Sequence, residues 1–116
     1  MTTAFAAPSA EVAKLATQHC RAGTSKLADD TLRAKLAVLD GWTNAEGRLE
    51  KTYRFADCHE TIGFVNALAW IANREDHHPD LAVSYNRCVV AWSTHDAGGV
   101  TDNDVVCAAK TDALLG

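Results

Sequence analysis

Leu81-Ala82-Val83-Ser84-Tyr85-Asn86-Arg87-Cys88-Val89-Val90-Ala91-Trp92-Ser93-Thr94 is the stretch whose reading decides the fold. Both flanks are rich in strand-forming residues, and Asn86-Arg87 is the polar pair between them. Asn tolerates the positive φ that hairpin turns need. The pattern predicts a hairpin folded at Asn86-Arg87, since the centre of residues 79–94 falls between them. Its arms are nearly equal, so its open ends are neighbours.

Those ends carry the chemistry. Upstream lies Glu75-Asp76-His77-His78-Pro79-Asp80, and downstream Ser93-Thr94-His95-Asp96. Pro79 disfavours helical geometry at His78 and tends to end a helix there, where a side chain can leave the packed face and enter a cleft. The hairpin then returns His95 beside His77 and His78. Imidazoles flanked by carboxylates concentrate groups that move protons near neutral pH. Alone, a His-His pair is ordinary surface decoration and His95 a loop residue; their convergence makes the site. Adjacent histidines rarely converge on one tetrahedral ion, and no Cys or Glu sits at ligand spacing, so no metal is expected.

A chain of 116 residues is long enough for one core but not two. Its 47% hydrophobic and 22% charged content is that of an ordinary globular domain. Net charge is −4, from 11 basic and 15 acidic residues without a Lys/Arg cluster, which argues against a nucleic-acid surface. No apolar run approaches the roughly 20 residues of a membrane span. Met1-Thr2-Thr3-Ala4-Phe5 lacks the basic region and apolar core of a signal peptide. Cys20, Cys58, Cys88 and Cys107 are widely spaced and are read as reduced and buried. The chain reads as cytoplasmic.

Residues 1–24 read as a loosely attached arm, with a possible short helix capped by Ser9 and bracketed by Pro8 and Gly23. Residues 25–116 form the domain. Asp29 or Asp30 caps a helix carrying Leu32, Leu36 and Leu39 at helical spacing, and Gly41 ends it. A first hairpin follows with Gly47 in its turn. Leu49, Tyr53 and Phe55 share one face, with Lys51 out of pattern among them. Asp57 and Glu60 resemble a capping box opening the second helix. Its core arc is Ile62, Phe64, Val65, Leu68, Ala69, Ile71 and Ala72, and Gly63, Ala67 and Trp70 form a second strip suited to another helix. After a flexible Gly98-Gly99 turn, Thr101 and Asp104 make a second capping box opening a helix with Val105, Ala108, Ala109 and Leu115 as its apolar face. The expected fold is α+β, in the order α-β-β-α-β-β-α. A four-stranded antiparallel sheet of two hairpins carries three helices packed on one face.

Asp76-His77-His78-Pro79, Tyr85-Asn86, Ser93-Thr94-His95-Asp96, Gly99-Val100-Thr101 and Asp104 together resemble the signature of the pterin-4a-carbinolamine dehydratases, a likeness running over residues 41–114. The resemblance implies dehydration of 4a-hydroxytetrahydrobiopterin to quinonoid dihydropterin. This recycles the pterin of the aromatic amino acid hydroxylases, one of which becomes a candidate partner. No redox change occurs, so neither cofactor nor metal is implied. His77 and His95 would be the acid/base pair, and His78 would bind and orient the pterin. Asp76, Pro79, Ser93, Thr94 and Asp96 would frame the substrate, and Asp104 would support a histidine besides capping its helix. His19 and His59 match nothing and read as solvated. The family usually has an acidic residue where this chain has Asn73. On a continuous helix Asn73 would share a face with His77, orienting it without stabilising its charge. The alternative is a non-catalytic oligomerising partner, a transcriptional coactivator or assembly factor on the same fold. The second strip and the open sheet edges predict a homodimer or homotetramer.

Overall fold

The structure, a computed structural model, describes residues 8–115. The first seven residues of the arm, on which the absence of a signal peptide was read, and Gly116 lie outside the described residues. Helix α1 (Ala10–Leu15) starts where the Ser9 hydroxyl accepts the Val12 N–H. Helix α2 (Asp29–Leu36) begins after Ala28, which offers no side-chain cap, with Asp29 and Asp30 inside its first turn, and it stops at Leu36, short of the expected Leu39 and Gly41. Strands β1 (Thr43–Ala45) and β2 (Arg48–Arg54) form the first hairpin. Glu46 and Gly47 both have positive φ in its two-residue turn, and the Asn44 side chain accepts the Gly47 N–H.

Helix α3 (Cys58–Glu75) opens on Asp57, which accepts the Glu60 N–H. The Glu60 carboxylate reaches one residue further back than a capping box requires and takes the Ala56 N–H. Thr61, Phe64, Leu68 and Ala72 form its buried stripe. This stripe is narrower than the expected arc, for Ile62 and Ala69 are exposed. Thr61 can enter the core because its hydroxyl donates to the Asp57 or Tyr85 carbonyl.

Strands β3 (Asp80–Ser84) and β4 (Arg87–Trp92) form the second hairpin. Its turn is Tyr85-Asn86, one residue earlier than expected, closing on the Ser84–Arg87 pair, and Asn86 does not need positive φ. Tertiary bonds set this register: Phe55 N–H donates to the Asn86 carbonyl, and Thr61 reaches that of Tyr85. The sheet is antiparallel in the order β1-β2-β4-β3, with Asp80 opposite Ala91 and Leu49 opposite Trp92. The open ends of the second hairpin therefore adjoin, as expected.

Helix α4 (Asp102–Ala113) opens on the predicted capping box, with Asp104 Oδ2 accepting the Thr101 N–H at 2.9 Å. Residues 103–109 are all buried, because the sheet covers one side of α4 and α1 another. Trp92, Leu49, Leu68 and Val105 lie at the centre of the core. Lys51 is tolerated on the core face of β2 because its ammonium donates to Asp112 at 2.8 Å and to the Asp40 carbonyl at 3.0 Å.

Residues 9–24 are largely exposed, but contacts with α3 and α4 anchor them at several points. Val12 is buried and Lys110 donates to the Ala16 carbonyl. Asn103 exchanges two hydrogen bonds with the Arg21 backbone. Glu75, only 4% exposed, accepts the Cys20 N–H at 2.7 Å and pairs with His19 at 2.9 Å. His19, read as solvated, is thus an exposed ring anchored to Glu75. Cys20 Sγ lies 3.3 Å from Cys107 Sγ. Of the four thiols, Cys88 and Cys107 are buried and Cys20 half-buried, while Cys58 is exposed, against expectation.

Candidate functional site

Asp76 takes the left-handed conformation (φ 50°). Its N–H reaches the Asn73 carbonyl and that of His77 reaches Ala72, the paired bonds of a Schellman cap. The reversal swings His77 off the helix and back toward the body. Its ring stacks on Trp92, with centroids 5.5 Å apart and planes 14° from parallel. Nε2–H donates to Asp104 Oδ1 at 2.6 Å, leaving the His77 side chain 14% exposed and Asp104 fully buried. The Asp104 hydrogen bond holds the imidazole's pKa above its ordinary value, against the opposing effect of burial.

The same reversal moves Asn73 away from His77. Asn73 Oδ1 lies 3.0 Å from His78 Nε2 instead. The expected shared face of Asn73 and His77 fails because i,i+4 neighbours require a continuous helix, and α3 ends between them.

The far end of the hairpin arrives through Thr94, whose hydroxyl donates to Asp104 Oδ2 at 2.9 Å. Thr94 Oγ1 also lies 3.0 Å from Thr101 Oγ1. His95 begins a single 3-10 turn, His95–Ala97, and its side chain is exposed. The loop carrying His95 and the end of α3 thus meet on one buried carboxylate.

A cleft of about 510 Å³ lies alongside, lined by residues 20–24, Glu75, Asp76, Thr94, Asp96 and Asn103. The three histidines are outside this lining, but two adjoin it in the chain. His77 follows Asp76, and His95 stands between Thr94 and Asp96. Half-buried Ser93 and Pro79 flank the ends of β4 and β3 and do not line it. Sequence reasoning missed three contributors. Trp92 could have been suspected from its place just before Ser93-Thr94-His95. The Thr101 hydroxyl and the wall made by residues 20–24 depend on contacts between distant segments, so no local pattern announces them.

Among the described residues, no group of three His, Cys, Asp or Glu is arranged to hold a metal ion, and no helix is long and apolar enough to cross a membrane.

Residues 25–114 match the family model described as pterin 4 alpha carbinolamine dehydratase. A relative from Chromobacterium violaceum, provisionally named pterin-4-alpha-carbinolamine dehydratase, is 63% identical over 93 residues, covering 80% of this chain and 86% of its own. A Stenotrophomonas maltophilia relative bearing the same provisional name is 52% identical over 110 residues, covering 90% and 95%. The crystal structure of a transcriptional coactivator/pterin dehydratase from Brucella melitensis superposes with a TM-score of 0.77 at 32% identity, covering 79% of this chain and all of that one.

Proposed function

This chain belongs to the pterin 4 alpha carbinolamine dehydratase family, and on that premise we propose that it dehydrates 4a-hydroxytetrahydrobiopterin to quinonoid dihydropterin. The C4a–O bond breaks as the departing hydroxyl takes a proton and leaves as water. N5 gives up its proton, and the C4a=N5 double bond forms. The step is a hydro-lyase reaction with no net redox change.

The observation that carries this reading is the chain Thr94–Asp104–His77 at the edge of the cleft. Asp104 favours the charged form of His77, which suits it to donate the proton that the leaving hydroxyl needs. With Nε2 occupied by Asp104, Nδ1 is the ring atom that serves the substrate. His95 is assigned the opposite proton transfer, from the nitrogen side. His78, braced by Asn73, orients the pterin, and Asp76, Pro79, Ser93, Thr94 and Asp96 frame it. The setting is a cytoplasmic pterin-recycling step beside an aromatic amino acid hydroxylase.

The test follows loss of chemically generated 4a-hydroxytetrahydropterin with and without the protein. His77→Ala and His95→Ala should each lower turnover by about 10-fold or more, a positioned acid or base being commonly worth about 10²–10⁴-fold. Near-wild-type turnover in the double mutant would sink the mechanism.

A second reading rests on Trp70, which is 63% exposed on α3 with the Arg74 guanidinium 5.2 Å from its ring centroid. We propose that this strip joins copies of the chain into a homodimer or homotetramer. The same surface would serve a coactivator role of the kind named for the Brucella melitensis protein.

A further inference from the structure

We infer that residues 20–24, which precede the family-matched segment, are a working part of the site, and that Thr24 is a positioning residue for His77. Two observations carry this. Residues 20–24 line the cleft together with Asp76, Thr94 and Asp96. From that lining, Thr24 Oγ1 reaches Thr101 Oγ1 at 3.1 Å.

The direction of the hydroxyl chain follows from counting protons. A threonine hydroxyl has one proton to give. That of Thr94 goes to Asp104 Oδ2. In the Thr94–Thr101 contact the donor is therefore Thr101. With its proton spent there, Thr101 accepts from both the Asn103 N–H and Thr24. The order runs Thr24 to Thr101 to Thr94 to Asp104, and Asp104 takes the His77 Nε2–H on its other oxygen. Successive donors polarise one another, so Thr24 strengthens the bond that Thr94 makes to Asp104. A carboxylate more fully engaged by Thr94 holds the imidazolium less tightly. Thr24 thereby restrains the pull of Asp104 on His77.

The titratable groups acting on His77 are Asp104 from α4, Asp76 at the end of α3 and the Cys20 thiol from the arm, with His78 next in the chain. Trp92, the β4 side chain stacked on the ring, does not titrate. Thr24→Val alters none of these charges and removes only a hydroxyl.

The inference rests on His77 being the acid–base group, so the test has one readout that needs no turnover. In the intact protein, imidazole proton resonances of His77 are followed against pH for wild type, Thr24→Val and Thr24→Ser. The Val variant should shift the His77 midpoint upward by a few tenths of a unit and move the alkaline limb of the pH–rate profile with it. Ser should restore both. An unmoved midpoint in a folded Val variant overturns the inference. A moved midpoint with no matching change in the rate profile upholds it and instead counts against His77 as the catalytic acid. Should Thr24→Val fail to fold, the wild-type protein supplies the test. The Thr94 and Thr101 hydroxyl protons should exchange with solvent slowly enough to give resolved resonances, and fast exchange of both would overturn it.

Discussion

His77 and Asp104 form a pair in which one partner is fully buried and the other nearly so, and the pH dependence of both stability and activity should pass through them. A histidine whose folded pKa is raised contributes stability that is complete below its unfolded value, about 6.5, and is lost as pH rises through the folded value. Asp104→Asn keeps the shape and removes the charge. It should lower the His77 midpoint in NMR titration and flatten the fall in urea-denaturation stability above that pH. An unchanged midpoint would mean that the 2.6 Å contact carries no charge coupling in solution. Asn73 is predicted to act elsewhere. Asn73→Glu should leave the His77 midpoint in place, because the side chain meets His78, and should alter KM more than the pH profile. At this scale the sequence already singled out His77, His78 and His95 as the candidate acid–base groups. It could not pair Asn73 correctly, since that depended on where the helix stopped.

The end of α3 is the element on which the site turns. A left-handed Asp76 is costlier than Gly there but less strained than most residues, because Asp visits this region more readily. Asp76→Ala should cost up to about 1 kcal/mol in denaturant titration, since both residues carry a Cβ and only the readier access of Asp to left-handed backbone is lost. Asp76→Gly should stay within about 1 kcal/mol of wild type, since glycine suits this position. Both should lower turnover through loss of the carboxylate that lines the cleft. Equal stability of the two variants would show that the cap does not constrain His77. The helix was legible from its Asp57 cap and periodic core, and Pro79 marked its end to within a few residues. Reversal at Asp76 was not legible, because no Gly or Asn announces it.

At the scale of the whole molecule, apolar surface is exposed among the described residues on strand β3 and on α3. Strand β3 is exposed along its length, with Val83 45% and adjacent Tyr85 65% accessible, and α3 presents Ile62 and Trp70. An open edge with its backbone groups unpaired, together with an apolar helix strip, favours self-association. Light scattering at micromolar concentration should give a dimer or tetramer, and Trp70→Glu should reduce its mass. A monomeric wild type would refute the surface.

Local pattern by itself determined the two hairpins, the three long helices, the Thr101–Asp104 cap and the convergence of the His-bearing segments. Each depends on residues close in sequence, or on the equal arms of one hairpin, so strand and helix periodicity suffice to read it. Tertiary structure alone decided the one-residue shift of the second turn, the anchoring of residues 9–24 to α4 and the hydroxyl chain from Thr24 to Asp104. Phe55 and Thr61 hold the Tyr85-Asn86 turn from outside the hairpin, and Thr24 meets Thr101 across 77 residues of chain. Such bonds are chosen by how buried polar groups find partners once the core has closed, and that choice leaves no local imprint on composition or spacing.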